Sequence, residues 1–415
     1  MADRNSQTRR RWLGTCTGVT ASTVLAGCFG SDDDTGDENG NGNGNRNGTG
    51  NGDTGIDRIN PEEESLGEDW PMYGVDLQNT GHQPDATGPE GDELITREII
   101  DLGGITTRPA IIVDETVYIS SIEGSTYAID SEEEQILWER EGYGELVARD
   151  GMVYGPTDGS QIYGYDLETG DEWVPEEIKS ANSVWGPVPL DERLFVASPE
   201  DSIWKINIET GNYSTFVEID PGFGVTDMPA YQNGMCYLGR SSKLYGINVD
   251  TSEIEWTFET ENEGRLSDSN PAVSNGMVYL TSRDRKLHAV ETDSGDEAWT
   301  VDTGVIETSP AVADGLVYTA ERDQVIAVDA REGEVEWQRE DAIIGEPEDI
   351  AIADGVCYVT TRNGISAYDA ASGNLKWEHD VSDDDDIRFN APPAIFHGTI
   401  YLPSRDETLY AIEDA

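Results

Sequence analysis

The chain has 415 residues, with 84 acidic against 26 basic side chains and a formal net charge of −58 at pH 7. Self-repulsion of that size destabilises a compact state in dilute salt, whereas at molar salt the Debye length falls to about 3 Å and screens it. The charge argues against nucleic-acid binding, which needs a basic footprint, and predicts a protein of concentrated salt; the alternative is an acidic surface made for a basic partner.

Residues 1–28 read as a targeting segment. Thr8-Arg9-Arg10-Arg11-Trp12-Leu13 resembles the twin-arginine export motif. The uncharged stretch that follows is too short for a transmembrane helix. It ends in Leu25-Ala26-Gly27-Cys28, which resembles a lipobox. That resemblance implies cleavage before Cys28, lipid on its thiol, and a protein anchored to the outer face of the cell membrane. With the acidity, it fits a haloarchaeal type of exported lipoprotein. Residues 29–66 form a linker, with Gly and Asn alternating from Asn39 to Gly52 and almost nothing apolar. Such a segment buries too little surface to offset its ordering entropy, and a flexible chain of that length reaches roughly 30–35 Å. Asn47-Gly48-Thr49 and Asn212-Tyr213-Ser214 fit the N-glycosylation acceptor pattern.

From Trp70 onward the composition is globular. Val117-Tyr118, Val153-Tyr154, Leu194-Phe195, Cys236-Tyr237, Val278-Tyr279, Val317-Tyr318, Cys357-Tyr358 and Ile400-Tyr401 recur about every forty residues, which marks a repeat architecture. Each copy reads as four short strands bounded by turn residues, with β-branched and aromatic enrichment and no helical period. The prediction is an all-β chain over 67–415: an eight-bladed propeller with four-stranded blades. The eighth copy stops at Ala415, before its last strand. Residues 94–102 have strand character and are expected to complete blade eight and close the ring, since an open sheet edge is a liability.

Trp138, Trp173, Trp256, Trp299, Trp337 and Trp377 end a turn-and-strand segment that is eleven residues long in most copies, as in residues 367–377. This resembles the tryptophan-docking repeat of the PQQ-type propellers, a superfamily that includes quinoprotein alcohol dehydrogenases and BamB-type assembly lipoproteins. Trp70-Pro71-Met72-Tyr73-Gly74 to Asn79-Thr80-Gly81 resembles the opening motif of PQQ-like repeat proteins. The resemblance implies tryptophans that pack between blades. For the enzymes it implies PQQ and calcium at the channel mouth, with a vicinal disulfide and a catalytic Asp.

The chemistry-bearing residues divide into two readings. Cys236 and Cys357 stand at one repeat position in blades three apart, so they read as buried small hydrophobes, and no vicinal pair exists. His82, His288, His379 and His397 share no repeat position, and Asp383 to Asp386 read as a solvated loop, so neither a metal site nor a catalytic residue is assigned. Four residues after the central aromatic stand Arg283, Arg322, Arg362 and Arg405. They fall in turns on the same face as the loops between blades, which hold Arg108, Trp185, Asp227, Asn270, Asp349, Arg388 and Asn390. That face reads as a ligand or partner surface, because guanidinium forks suit carboxylates and phosphates. The bland reading is an ion pair within each turn, since Asp284, Asp323 and Asp406 follow three of the four. The leading expectation is a monomeric, membrane-anchored, non-catalytic binding or scaffold module for a protein partner, without a cofactor. The alternatives are a PQQ- and calcium-dependent oxidoreductase, for which Trp185, Asp227, Asn270 and Asp349 are the nearest candidates, and a cell-surface sensor or substrate-binding protein.

Overall fold

The computed structural model describes residues 69–91, 93–106, 108–156, 162–173, 185–198, 202–219, 228–260, 265–266, 269–304, 308–321, 324–340, 347–381, 387–389 and 391–415. The targeting segment, the linker, Cys28 and Asn47 lie outside them. Every described element is a strand, and the strands form eight sheets whose blade strands pair antiparallel; His82–Gln83 adds a parallel strand to the inner edge of Pro347–Ala353, and Leu94–Asp101 joins the last sheet. Blades one to seven span residues 111–141, 147–173, 185–218, 230–259, 272–302, 311–340 and 347–380, and blade eight begins at 394. This is the eight-bladed propeller that the forty-residue period predicts.

The innermost hairpin of each blade turns on two residues. Asn275-Gly276, Asp314-Gly315 and Asp354-Gly355 all hold φ between 43° and 81°. Two consecutive positive φ values make the mirror-image turn whose twist matches the strands, and Asn or Asp followed by Gly adopts it with least strain.

The docking residues pair across blades. Trp299 Nε1 and Tyr279 OH both donate to Ala330 O in the next blade, at 3.2 and 2.9 Å, and Trp337 and Tyr318 do the same to Ala370 O. Each indole lies on a glycine of the following blade. A Cβ at Gly333 would stand 2.7 Å from Trp299, and one at Gly373 would stand 2.4 Å from Trp337. The Gly in the repeat's turn is therefore a steric requirement of the junction.

Leu94–Asp101 pairs antiparallel with Thr408–Asp414 and supplies the fourth strand of blade eight, as expected. The closure goes further than one strand. In other blades an Asp at the end of the third strand caps the turn that follows, as Asp329 Oδ1 does for Arg331 N and Glu332 N. In blade eight the chain is broken at that turn. Asp414 caps Glu90 N and Gly91 N from the far end of the sequence, at 2.8 and 2.9 Å, and Trp377 Nε1 donates to Pro89 O. The ring is thus rebuilt at its eighth turn without a covalent link. Arg97 adds a two-pronged bond to Glu413 at 3.0 Å and reaches Glu134 in blade one.

Candidate functional site

The segment before the closing strand organises the centre of the ring. Residues 70–87 run past the innermost strands in blade order. Trp70 exchanges two backbone bonds with Ile112 in blade one, and Pro71 O accepts from Ala148 N in blade two. Leu77 O, Gln78 O, Thr80 O and Gly81 O then accept from Tyr231, Val273, Val312 and Ile352 in blades four to seven, and Thr87 O accepts from Gly398 N in blade eight. The inner edge of each of these sheets would otherwise leave amides unpaired, which is costly when buried.

Left-handed backbone at Gly74, Val75, Asn79 and Gly81 bends this strap around the axis. Asn79 is its central clamp. Its Nδ2 donates to Met228 O and Pro271 O at 3.0 and 3.1 Å. The motif was legible in the sequence as a block, but nothing in its composition revealed that it circles the axis. The available signal was the spacing of residues suited to positive φ.

Between the strap and the first residues of the inner strands of blades five to seven lies a cavity of about 20 Å³, lined in part by Trp70, Tyr73, Asn79, Asn270, Ser309 and Asp349. A space of that size holds about one water molecule. Tyr73 OH donates to Asp349 Oδ2 at 3.3 Å, Met228 N to Asn270 Oδ1 at 3.0 Å, and Asn270 N to Ser309 Oγ at 3.0 Å. Burial pushes the Asp349 carboxyl up to about 7, and burial beside Asp349 raises the Tyr73 phenol. Asp76, which caps Thr80 within the strap, is pushed up to about 6 by burial.

The structure brings Asn270 and Asp349 together at the axis. Trp185 opens the inner strand of blade three, and nothing of its side chain is described; Asp227, Arg322 and Asn390 lie outside the described residues. Arg108 pairs with the buried Glu145 at 2.8 Å, a partner that the sequence reading missed. Arg283, Arg362 and Arg405 are exposed on the loop face, and Arg388 is half-buried there. The acids after two of these arginines serve their own turns. Asp284 accepts from Ser282 Oγ and Lys286 N and faces His288, while Asp406 accepts from Tyr410 OH and Thr408 N. Cys236 and Cys357 are buried free thiols, with pKa pushed up by burial.

The cavity lined by Tyr73, Asn79, Asn270, Ser309 and Asp349 is too small for a planar cofactor of three fused rings. The axial space is water-sized, and among the described residues no group of three or more His, Cys, Asp or Glu side chains is placed to hold a metal ion.

A sequence profile described as outer membrane protein assembly factor BamB matches residues 87–173 and 240–415. The outer membrane protein assembly factor BamB of Moranella endobia is 28% identical over 215 residues, 48% of this chain and 53% of that protein. The chain spans about half the length of the curated relatives it matches. Among solved structures, the quinohemoprotein alcohol dehydrogenase of Comamonas testosteroni superposes with a TM-score of 0.66 at 12% identity, covering 84% of this chain and 81% of that one. BamB of Moraxella catarrhalis gives 0.62 at 13% identity, covering 77% and 98%. At such identities the superpositions speak for the fold alone.

Proposed function

Because the chain belongs to the BamB family of propellers, we propose that it is a non-catalytic scaffold that holds a protein partner at a membrane surface. The observation that carries this reading is the filled axis. Residues 70–87 hydrogen-bond to the innermost strands of seven blades and occupy the space beside them. What remains is a water-sized space with one buried carboxyl group. The export motif, the lipobox and the polar linker support a lipid anchor at Cys28 and a reach of a few tens of ångströms from the outer face of the cell membrane. The acid excess supports work in concentrated salt.

One observation favours a second reading, a quinoprotein oxidoreductase. Asp349 combines a raised pKa with Tyr73 and Asn270 at the axis, and perturbed carboxylates in clefts are candidate proton acceptors.

The two readings separate in one titration. The intact protein in molar salt with calcium is titrated with PQQ, following tryptophan fluorescence and calorimetric heat. Trp70 lines the axial cavity, so a cofactor entering there changes its emission. The scaffold reading expects no saturable change; saturable micromolar binding overturns it in favour of the oxidoreductase, to be followed by assays with alcohol and sugar substrates.

A further inference from the structure

The outer rim of blade three departs from the repeat at one register. In six blades the central aromatic, a small residue of the third strand and the docking Trp stand side by side, as Tyr279, Ala289 and Trp299 do in blade five. Blade eight puts Arg97 in the tryptophan's place, beside Ala411 and Tyr401, and Arg97 fills it by reaching Glu134 in blade one. In blade three the same row reads Phe195, Lys205 and Ser214. Ser214 is exposed and too short to bridge to the next blade. The next blade is adapted to this. Gly170, Gly295, Gly333 and Gly373 each donate back across a turn on which an indole lies, and a Cβ there would stand 2.4–2.9 Å from the ring. The equivalent residue of blade four is Ser252, at φ 62°, whose Cβ stands where blade three sends no indole.

What blade three carries at this place is the acceptor pattern Asn212-Tyr213-Ser214. Asn212 and Ser214 lie two residues apart and so share one face of the outer strand. Tyr213 between them turns to the other face, where its ring stacks on Trp204 at 5.5 Å and 24°. The backbone of Asn212 is held in place. Its carbonyl accepts from Asn207 N at 2.8 Å, and its amide donates to Thr210 Oγ1 at 3.3 Å. Residues 212–215 are all exposed, at the start of the outermost strand of the sheet. The folded ring therefore presents the Asn212 amide and the Ser214 hydroxyl together to solvent, at the one docking place that holds neither Trp nor Arg.

We propose that Asn212 is the acceptor of an N-linked oligosaccharide, carried at the rim of the junction between blades three and four. A bulky, hydrated group of this kind belongs on an exposed rim. The donor is a saccharide joined through its anomeric carbon to a lipid phosphate, and an oligosaccharyltransferase brings the two together. Asn212 Nδ2 forms a bond to the anomeric carbon. The bond from that carbon to the phosphate oxygen breaks, its electron pair leaves on the lipid phosphate, and one Nδ2 proton passes to a base of the transferase. Ser214 supplies the hydroxyl that the acceptor pattern requires two residues after the Asn. The inference goes beyond the scaffold reading and shares with it only the export of the chain.

The test isolates the full chain from its own host and fragments the tryptic peptide of residues 206–240 in a mass spectrometer; that peptide holds this acceptor pattern and no other. A saccharide mass on Asn212 is expected. Asn212→Gln and Ser214→Ala are each expected to lose it, whereas Ser214→Thr, which keeps the hydroxyl, retains it. Both positions are exposed, so all three variants are expected to melt with the parent in molar salt. An unmodified Asn212 in the parent overturns the inference. So does a saccharide that survives Asn212→Gln on a neighbouring hydroxyl, modification confined to Asn47, or loss of the saccharide in Ser214→Thr. PQQ titration of the same preparation decides the scaffold reading and leaves this result untouched.

Discussion

The axis and the loop face of this propeller are built from the same repeat and treated in opposite ways. At the axis the chain supplies its own occupant, and nearly every inner strand meets a carbonyl of residues 70–87. On the loop face the turns are self-sufficient, and arginines stand on backbone positions that accept an isoleucine elsewhere. The difference teaches where to look for function. A residue that the ring needs is explained by the ring, whereas the side chains of the loop face vary from blade to blade.

Four perturbations break or sharpen that contrast, broadly in falling order of effect. Deleting residues 94–101 removes the fourth strand of blade eight and, with it, Arg97 and its bonds to Glu413. The expected result is loss of cooperative unfolding in a thermal melt in molar salt; an unchanged melt disproves the closure. Next comes the strap. A Cβ at Gly74, where φ is +65°, would stand 2.8 Å from the Asn79 Cα, so Gly74→Ala is expected to cost about 3 kcal/mol or more. Asn79→Ala strands two buried carbonyls, Met228 O and Pro271 O, and is expected to cost about 2–4 kcal/mol in denaturant unfolding.

The third perturbation reads the axial carboxyl. The folded Asp349 titrates near 7 against an ordinary value of 3.8. The folded state therefore holds a proton that the unfolded state releases. The stability from that proton is complete below about pH 4 and is lost as pH rises through 7. Asp349→Asn removes this part of the dependence and leaves that of Asp76 and Asp69, whose carboxyls burial pushes up to about 6. It is expected to match the parent near pH 4 and to exceed it above pH 7 by roughly 4 kcal/mol. A constant gap across that range contradicts the buried proton. The smallest effect belongs to the loop face, where Arg388→Glu/Arg405→Glu is expected to change unfolding free energy by no more than about 0.5 kcal/mol. A large loss would make these arginines part of the ring.

The sequence made the ring legible because the blades repeat the same constraints: an aromatic on the second strand in every blade, Asn-Gly or Asp-Gly at the inner hairpin in five of the eight, and a Trp closing most copies. Even the missing eighth strand was visible, because an incomplete last copy demands one from elsewhere. The rebuilt turn was not, since the Asp414 cap on Glu90 and Gly91 joins residues 323 to 324 positions apart. The strap escaped for a similar reason. Its bonds are made by backbone carbonyls, which carry no residue signature, and only Gly74, Asn79 and Gly81 mark its bends. Of the candidate surface, the position of Arg283, Arg362 and Arg405 was readable from the repeat. Arg388 was placed on the same face by its loop, whereas Arg265 was not singled out, because loops of different length hide that the two positions are equivalent.

Hydrogen exchange at the amides of Val273, Val312 and Ile352 tests the filled axis most directly. These three donate to Gln78, Thr80 and Gly81 of the strap at 2.7–2.8 Å. In the intact protein they are expected to exchange as slowly as the amides between the central strands of the same blades, and to lose that protection in Gly74→Ala. Rapid exchange at all three in the parent protein would mean an open channel, and the axis would again be available to a ligand.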